Sequence, residues 1–343
     1  MVKVVLDAMG GDNSPHEIIK GAVLALEKSS TLSLILTGPR ETVEKELSAY
    51  QYDRERLQIV DAPEVIGVEE HPVAAIQKKK DSSIVKGLML LRQGEADAFL
   101  SAGSSGAVLA GGQLKIGRLK GVERTPLATL IPTEGDPSLL LDCGANVDAK
   151  PQWLSQFARM GQIYMSEVCG CKTPSVKLVN IGLEEEKGTA LVKEAKAMIE
   201  KLPGLNYQGY IEAREIPHHG ADVVVTDAFT GNVILKLYEG TGGTLIKAVK
   251  SGLMADLRTK LGALLIKPAL KKTLKRFDAS EYGGAPLLGL KSLVMKCHGN
   301  ATHREICNAL LQCESFVKLG IGEKISEALL RDKEADAAGE SAI

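Results

Sequence analysis

The chain has 343 residues, 44% apolar and 25% charged, with a formal net charge of −1 at pH 7. These values are ordinary for a globular protein and give the whole molecule no polyanion-binding character. Aromatic residues make up only 4%, which argues against a stacking platform for nucleic acid, and no apolar run approaches the ~18 residues that span a bilayer.

The length suits one large core or two smaller ones. The opening MVKVVLDAMGG has a strand pattern and lacks the layout of a signal peptide. The six cysteines are scattered and form no CxxC pair, so they read as buried thiols of a cytosolic protein. Cys169-Gly-Cys171 lacks a second ligand pair, and the adjacent His218 and His219 point different ways, so no metal is expected.

Lys3 to Leu6 reads as a buried strand, followed by the turn Asp7-Ala-Met-Gly-Gly-Asp12. Ser14-Pro15-His16-Glu17 predicts a helix start, with Ser14 as N-cap and Glu17 closing a capping box. Asp7 and Asp12 suit turn chemistry, while Gly10 and Gly11 let the backbone approach a ligand. Strands at Leu32 to Leu36 and Leu57 to Val60 flank a helix at Glu41 to Ala49. That alternation predicts parallel strands joined by crossovers. His71 to Lys80 and Ser82 to Arg92 carry helical periodicity. After a strand at Ala96 to Leu100 comes Ser101-Ala-Gly-Ser-Ser-Gly-Ala107, then a small-residue helix. Ser104, Ser105 and Gly106 there suit an oxyanion cradle. The turn is neither a Walker A loop nor a GxSxG elbow.

Leu127 to Pro132 and Ser138 to Leu141 predict two strands, and Asp142 to Asp148, with Asn146, a third polar turn. A long helix spans Lys150 to Val168. The strand Val176 to Asn180 leads through Lys187-Gly188 into a helix, so Lys187 is either surface charge or a cation aimed into a crevice. After a strand at Asn206 to Glu212, Asp222 to Thr226 is the central signal, a buried strand ended by Asp227. Thr230-Gly231-Asn232 then starts an apolar helix, and the free N–H groups of a first turn attract anions.

Lys247 to Arg276 holds nine lysines and arginines against one acid, Asp256. Its leucines recur at helical spacing, and Gly262 and Pro268 predict two helices bending near Leu261 to Ile266. This basic amphipathic hairpin, at about 247–276, suits an anionic membrane or an acidic protein; an oligomer interface is the alternative. Leu261, Leu264, Leu265, Lys267, Lys271 and Lys272 are its candidate contacts. Gly283 and Gly284 lie in the turn Ser280 to Gly289, before a strand-like run at Leu293 to Lys296. His298 lies in the next turn, ahead of a helix at Arg304 to Leu319. Ile325 to Leu330 is expected to be helical, and residues 331–343 a polar tail. One catalytic domain is expected over residues 1–330.

The polar turns at strand ends describe a crevice lined by backbone N–H groups, hydroxyls, Asn232 and Lys187. No activated serine or cysteine accompanies them, and the GxGxxG fingerprint is absent. Such a crevice suits an enzyme that positions an anionic reactant and stabilises a developing oxyanion.

Seven stretches in order, DAMGGD, SAGSSGA, DCGANVD, NIGLEEEKG, DVVVTDAFTGN, SEYGGAPLLG and HGNA, resemble the bacterial phosphate acyltransferases of phospholipid synthesis. The resemblance runs from about Val2 to Leu330. Two departures stand out: Ser105 replaces a threonine and keeps the hydroxyl, and Ala228 replaces a glycine and restricts φ. The resemblance implies a three-layer α/β/α fold with a mostly parallel sheet, similar to isopropylmalate dehydrogenase and phosphotransacetylase. It implies acyl transfer from acyl carrier protein to inorganic phosphate, without a cofactor. It also implies a cytoplasmic homodimer, peripherally attached to an anionic membrane, with a membrane glycerol-phosphate acyltransferase as a further partner. Lys187, Asn232 and His298 become the catalytic candidates. Gly10, Gly11, Ser104, Ser105, Gly106, Asn146, Asp227, Thr230, Gly283 and Gly284 become the phosphate and substrate candidates. Two rival readings are a metal- and NAD-dependent decarboxylating dehydrogenase and a non-catalytic membrane adaptor for acyl carrier protein.

Overall fold

In the first strand Val4 and Leu6 face one apolar cluster and Val5 faces another, all fully buried. A strand buried on both faces needs helices on both, which is the logic of a three-layer α/β/α arrangement. The computed structural model, which describes residues 1–275 and 282–340, has that arrangement. The strands are β1 (Val2–Asp7), β2 (Leu32–Gly38), β3 (Leu57–Asp61), β4 (Ala98–Ser101), β5 (Ala128–Ile131), β6 (Ser138–Leu141), β7 (Val176–Val179), β8 (Tyr207–Ile211), β9 (Val223–Val225), β10 (Ala285–Pro286) and β11 (Leu293–Lys296). The helices are α1 (His16–Lys28), α2 (Arg40–Leu47), α3 (Pro72–Lys78), α4 (Ser83–Arg92), α5 (Ser105–Gly111), α6 (Pro151–Glu167), α7 (Ala190–Ile199), α8 (Ala228–Leu253), α9 (Leu257–Lys275), α10 (His303–Lys318) and α11 (Ile321–Glu340).

The strands divide between two sheets, ordered β10-β11-β4-β1-β2-β3 and β5-β6-β9-β7-β8. Among the described strands, only β10 and β5 run antiparallel to their neighbours. The two edges meet through the bridge Leu127–Leu287 and through Leu288 N donating to Pro126 O at 3.1 Å. One apolar cluster runs through both sheets, from Val4 and Leu100 to Leu139 and Val225. In the first sheet the strand order reverses at β1, which lies between β2 and β4. The carboxyl ends of strands at such a reversal are where open α/β sheets leave a crevice.

Several sequence expectations need correction. Ser14 does not cap α1; its hydroxyl donates to Met9 O and Gly11 O, and the helix begins at His16. Glu17 closes no capping box on its own helix. It reaches 286 residues along the chain to accept from His303 N at 2.6 Å and His303 Nδ1 at 2.7 Å, capping α10. Those bonds from His303, the backbone one foremost, hold the Glu17 carboxyl below its usual range against slight burial. A depressed carboxyl contributes stability above its unfolded pKa and loses it as pH falls through the folded value. Glu17→Gln should therefore cost about 1 kcal/mol at pH 7. In urea melts the gap to wild type should narrow as pH drops below the ordinary carboxylate range; a gap that widens in acid contradicts this role.

The helix break falls at residues 254–256, not at Leu261 to Ile266. Asp256 Oδ1 accepts from Arg258 N at 2.8 Å and Thr259 N at 2.9 Å, which starts α9 early. Pro268 then sits inside a helix that carries on to Lys275. Beyond residue 330, α11 continues as helix to Glu340. It is pinned there by Asp332, whose carboxylate takes two bonds from Arg159 of α6 at 2.7 and 2.8 Å in a nearly dry setting. Cys169 is exposed and Cys171 half-buried; the other four thiols are buried as expected.

Candidate active site

Four parallel strands of the first sheet end in one polar row. Asp7 lies opposite Thr37 of β2, and Lys296 lies opposite Ser101 of β4. Leu6 pairs with Leu100, which sets Asp7 level with Ser101. Residues level across parallel strands share a face, so Thr37, Asp7, Ser101 and Lys296 form a buried polar line at the strand-order reversal.

Ser101 Oγ donates to Asp7 Oδ2 at 2.6 Å and accepts from Gly103 N at 2.9 Å. Met9 N donates to Asp7 Oδ1 at 3.1 Å. Burial pushes the Asp7 carboxyl up, opposed by bonds from Ser101, Ser83 and Met9 and by the charge of Lys296. At Gly10 a Cβ would stand 2.6 Å from both Asp7 Oδ2 and Gly103 N. Glycine there lets the turn after β1 close onto the turn after β4. Gly11, with φ of +98°, lies under Gly299 O. Ser104 is buried as the N-cap of α5, accepting from Ala107 N at 3.4 Å. Ser105 is exposed at the first helical position, and Gly106 packs against Pro72.

In the second sheet the Asp142 carboxylate gathers five N–H bonds. Oδ1 accepts from Leu127 N at 3.0 Å, Gly144 N at 3.1 Å and Ala145 N at 3.0 Å. Oδ2 accepts from Asn146 N at 2.9 Å and Asn146 Nδ2 at 2.7 Å. Burial pushes this carboxyl up and the bonds oppose it. Asn146 Nδ2 also donates to Thr125 O at 3.0 Å, so this amide is committed to the turn. Helix α8 is seated on that turn: Ala228 N donates to Asn146 O at 3.1 Å. Ala228 opens a right-handed helix, so the site needs no left-handed backbone there. Asp227 caps the helix, accepting from Thr230 N at 2.9 Å and Thr230 Oγ1 at 2.7 Å. Asn232, the fifth residue of α8 and just past its first turn, is exposed, and its side chain makes no hydrogen bond among the described residues.

The halves of the site meet at His298. Its Nε2 lies 3.1 Å from Glu239 Oε1 of α8, and Lys236 Nζ lies 3.1 Å from Glu239 Oε2. Burial raises the Glu239 carboxyl, but His298 and Lys236 outweigh it and leave it below its usual range. The charge of Lys236 also reaches Lys296, and that of Glu239 reaches Cys143 beside Asp142. The turn after β6 thus seats the first residue of α8, and the turn after β11 meets the same helix further along, at Glu239.

Lys187 and the glycines of the β10 turn lie outside those contacts. Lys187 Nζ pairs with Glu184 at 2.8 Å on a half-exposed surface, and that bond raises its pKa. Its carbonyl accepts from Asn180 Nδ2 at 3.1 Å. Among the described residues no hydrogen bond or ion pair joins the Lys187 or Asn232 side chain to the cluster. Gly283 and Gly284 pack against Gln312 and Met295, with Gly284 N donating to Gln312 Oε1 at 3.0 Å. Ser280 and Glu281 of that motif lie outside the described residues, as does the Lys272 side chain in α9. Lys296, Lys236 and Glu239 are polar groups of the site that the sequence reading passed over. A lysine ending an otherwise aliphatic strand was the available signal. A groove of about 570 Å³ between α6, α7 and α11, lined by Gln152, Met198 and Leu329, lies apart from all of these groups.

The fold is that of the phosphotransacetylases. One from Staphylococcus aureus matches with a TM-score of 0.60 at 17% identity, over 93% of this chain and 94% of that one. Residues 2–324 also match the model of the family described as fatty acid synthesis protein. A phosphate acyltransferase from Alkaliphilus oremlandii is 48% identical over 96% of this chain and 97% of its own length. Another, from Clostridium acetobutylicum, is 46% identical over 95% and 98%. The chain belongs to this family and is an acyltransferase.

Proposed function

We propose that this protein transfers a fatty acyl group from acyl carrier protein to inorganic phosphate, giving acyl phosphate for membrane phospholipid synthesis. The observation that carries this reading is the contact of His298, in the turn after β11, with Glu239 of α8, which brings Lys236 of that helix within electrostatic range of Lys296 at the strand ends. Clustered cations favour an anion. Among the described residues, Ser101, Cys143 and Cys297 of this region are not activated nucleophiles. Ser101 is committed to Asp7, and burial pushes the Cys143 and Cys297 thiols up, away from thiolate. The nucleophile then comes with the substrate. A phosphate dianion is abundant near neutral pH (phosphate esters have a second pKa of ~6), so no strong general base is required. It attacks the thioester carbonyl, the tetrahedral oxyanion is held by donors, and collapse expels the thiolate. Lys187 and Asn232 are assigned to the oxyanion or phosphate, with His298 as a further polar contact. Family membership favours this chemistry over an NAD-dependent dehydrogenase of similar fold. The test is incubation with acyl-acyl carrier protein and phosphate, with hydroxylamine trapping of acyl phosphate. Binding of the carrier without phosphate-dependent product would leave only an adaptor.

Helices α8 and α9 supply the surface for a membrane or the carrier. Leu261, Leu264 and Leu265 are 65%, 66% and 82% exposed, with Lys267 and Lys271 exposed beside them. No helix among the described residues is long and apolar enough to cross a membrane. Peripheral attachment of a homodimer through this apolar, basic surface fits both facts. Sedimentation with anionic vesicles should weaken with salt and fall severalfold for Leu261→Glu plus Leu265→Glu. Unchanged binding by that double variant removes α9 as the anchor. A carrier protein of acidic surface would be steered by the same lysines.

A further inference from the structure

Lys296 is a buried lysine with no carboxylate counter-ion among the described residues. Its side chain is only 7% exposed, and Nζ donates to the neighbouring Cys297 carbonyl. Among the described residues no carboxylate oxygen comes within 4.0 Å of Nζ. Leaving a charge buried and unpaired costs several kcal/mol unless something compensates it. Glu305 and Asp7 act on it only at longer range, and Lys236 opposes them. Burial is the largest influence and pulls the Lys296 pKa down.

Its location says what would compensate it. Lys296 ends the polar row at the strand-order reversal, beside Ser101 and within electrostatic range of Lys236 in α8. Ser101 cannot serve, because its oxygen already bonds Asp7 and Gly103. Asp7 is already engaged by Ser101 Oγ and Met9 N. An anion placed there would satisfy Lys296 and quench its repulsion with Lys236. Lys187 is a weaker candidate for this task, being half exposed and already paired with Glu184.

We propose that Lys296 is the primary cationic contact for the phosphate nucleophile, with Asp7 and Ser101 as positioning residues that hold the Gly103 turn beside it. This assignment rests on the phosphate acyltransferase reading. The same acyl-carrier assay, run across phosphate concentrations, tests it. Lys296→Met should raise the KM for phosphate about tenfold or more, the worth of one charge-assisted bond, with the KM for acyl carrier protein unchanged. Lys296→Arg should recover part of the loss. A phosphate KM equal to wild type in a folded Lys296→Met protein overturns the assignment. If that variant does not fold, trace acetylation of the native protein decides. Inorganic phosphate, against chloride at equal ionic strength, should slow labelling of Lys296 severalfold, and equal labelling overturns the assignment. If wild type makes no acyl phosphate, the functional reading falls, and the labelling result still judges Lys296 as an anion site.

Discussion

Gly231→Ala is expected to abolish most acyl-phosphate formation and to lower Tm. A Cβ at residue 231 would stand 1.9 Å from the backbone carbonyl oxygen of Asp142, with its carbon at 3.0 Å. That oxygen is no flexible side-chain tip. The Asp142 carboxylate, with its five N–H bonds, locks the turn that carries it. The first turn of α8 must retreat instead, by about 1.5 Å, from 1.9 Å to the 3.4 Å at which ordinary contact begins. That breaks the seat formed by Ala228 N on Asn146 O. A misplacement of this size costs about 10²-fold in rate, and overpacking costs about 1–3 kcal/mol in stability. Thermal melts and the hydroxylamine assay check both. Wild-type Tm and wild-type rate together would mean that α8 is not seated as described.

Lys187→Ala and Asn232→Ala should each lower kcat by about 10²- to 10³-fold, the usual worth of one oxyanion donor. Lys187 lies just ahead of α7, and Asn232 just past the first turn of α8. Both side chains are at least half exposed or nearly so, and neither fills the core. The variants should therefore keep the wild-type melt, which separates a chemical loss from unfolding. Asn232 has no protein partner to release. Lys187 must exchange Glu184 for substrate, so Glu184→Gln is a useful companion variant. Full activity in both alanine variants removes them from the chemistry.

Strands and helices with continuous apolar or periodic patterns were legible in the sequence, because their signal is local. The polar turns were legible too, since glycine, hydroxyl and carboxylate residues cluster at strand ends. What each residue does within a turn was not. Asn146 reads as a substrate contact, yet its amide is spent on Asp142 and Thr125. Gly106 reads as a cradle residue, yet its missing side chain makes room for Pro72. Glu17 has the spacing of a capping box, yet it caps a helix 286 residues away. Lys296 closes a four-residue strand and gains its meaning only from Ser101 and Asp7 on neighbouring strands. Gly262 and Pro268 look like helix breakers. Inside α9 they are tolerated, and Asp256 fixes the boundary by capping.

Helix α8 is continuous over 26 residues, from the crevice to the exposed apolar end. Its mechanical character is not uniform along that length. Gly240, Gly242 and Gly243 have open space around them, so no packing accounts for their small size. Each weakens a helix by roughly 1 kcal/mol relative to alanine. The rod is therefore most compliant at its middle, between the Asp227 end and the Leu253 end. Strain applied at the distal end would dissipate at those glycines before it reached Asn232. The chemical end can hold its geometry while the other end adapts to whatever it touches.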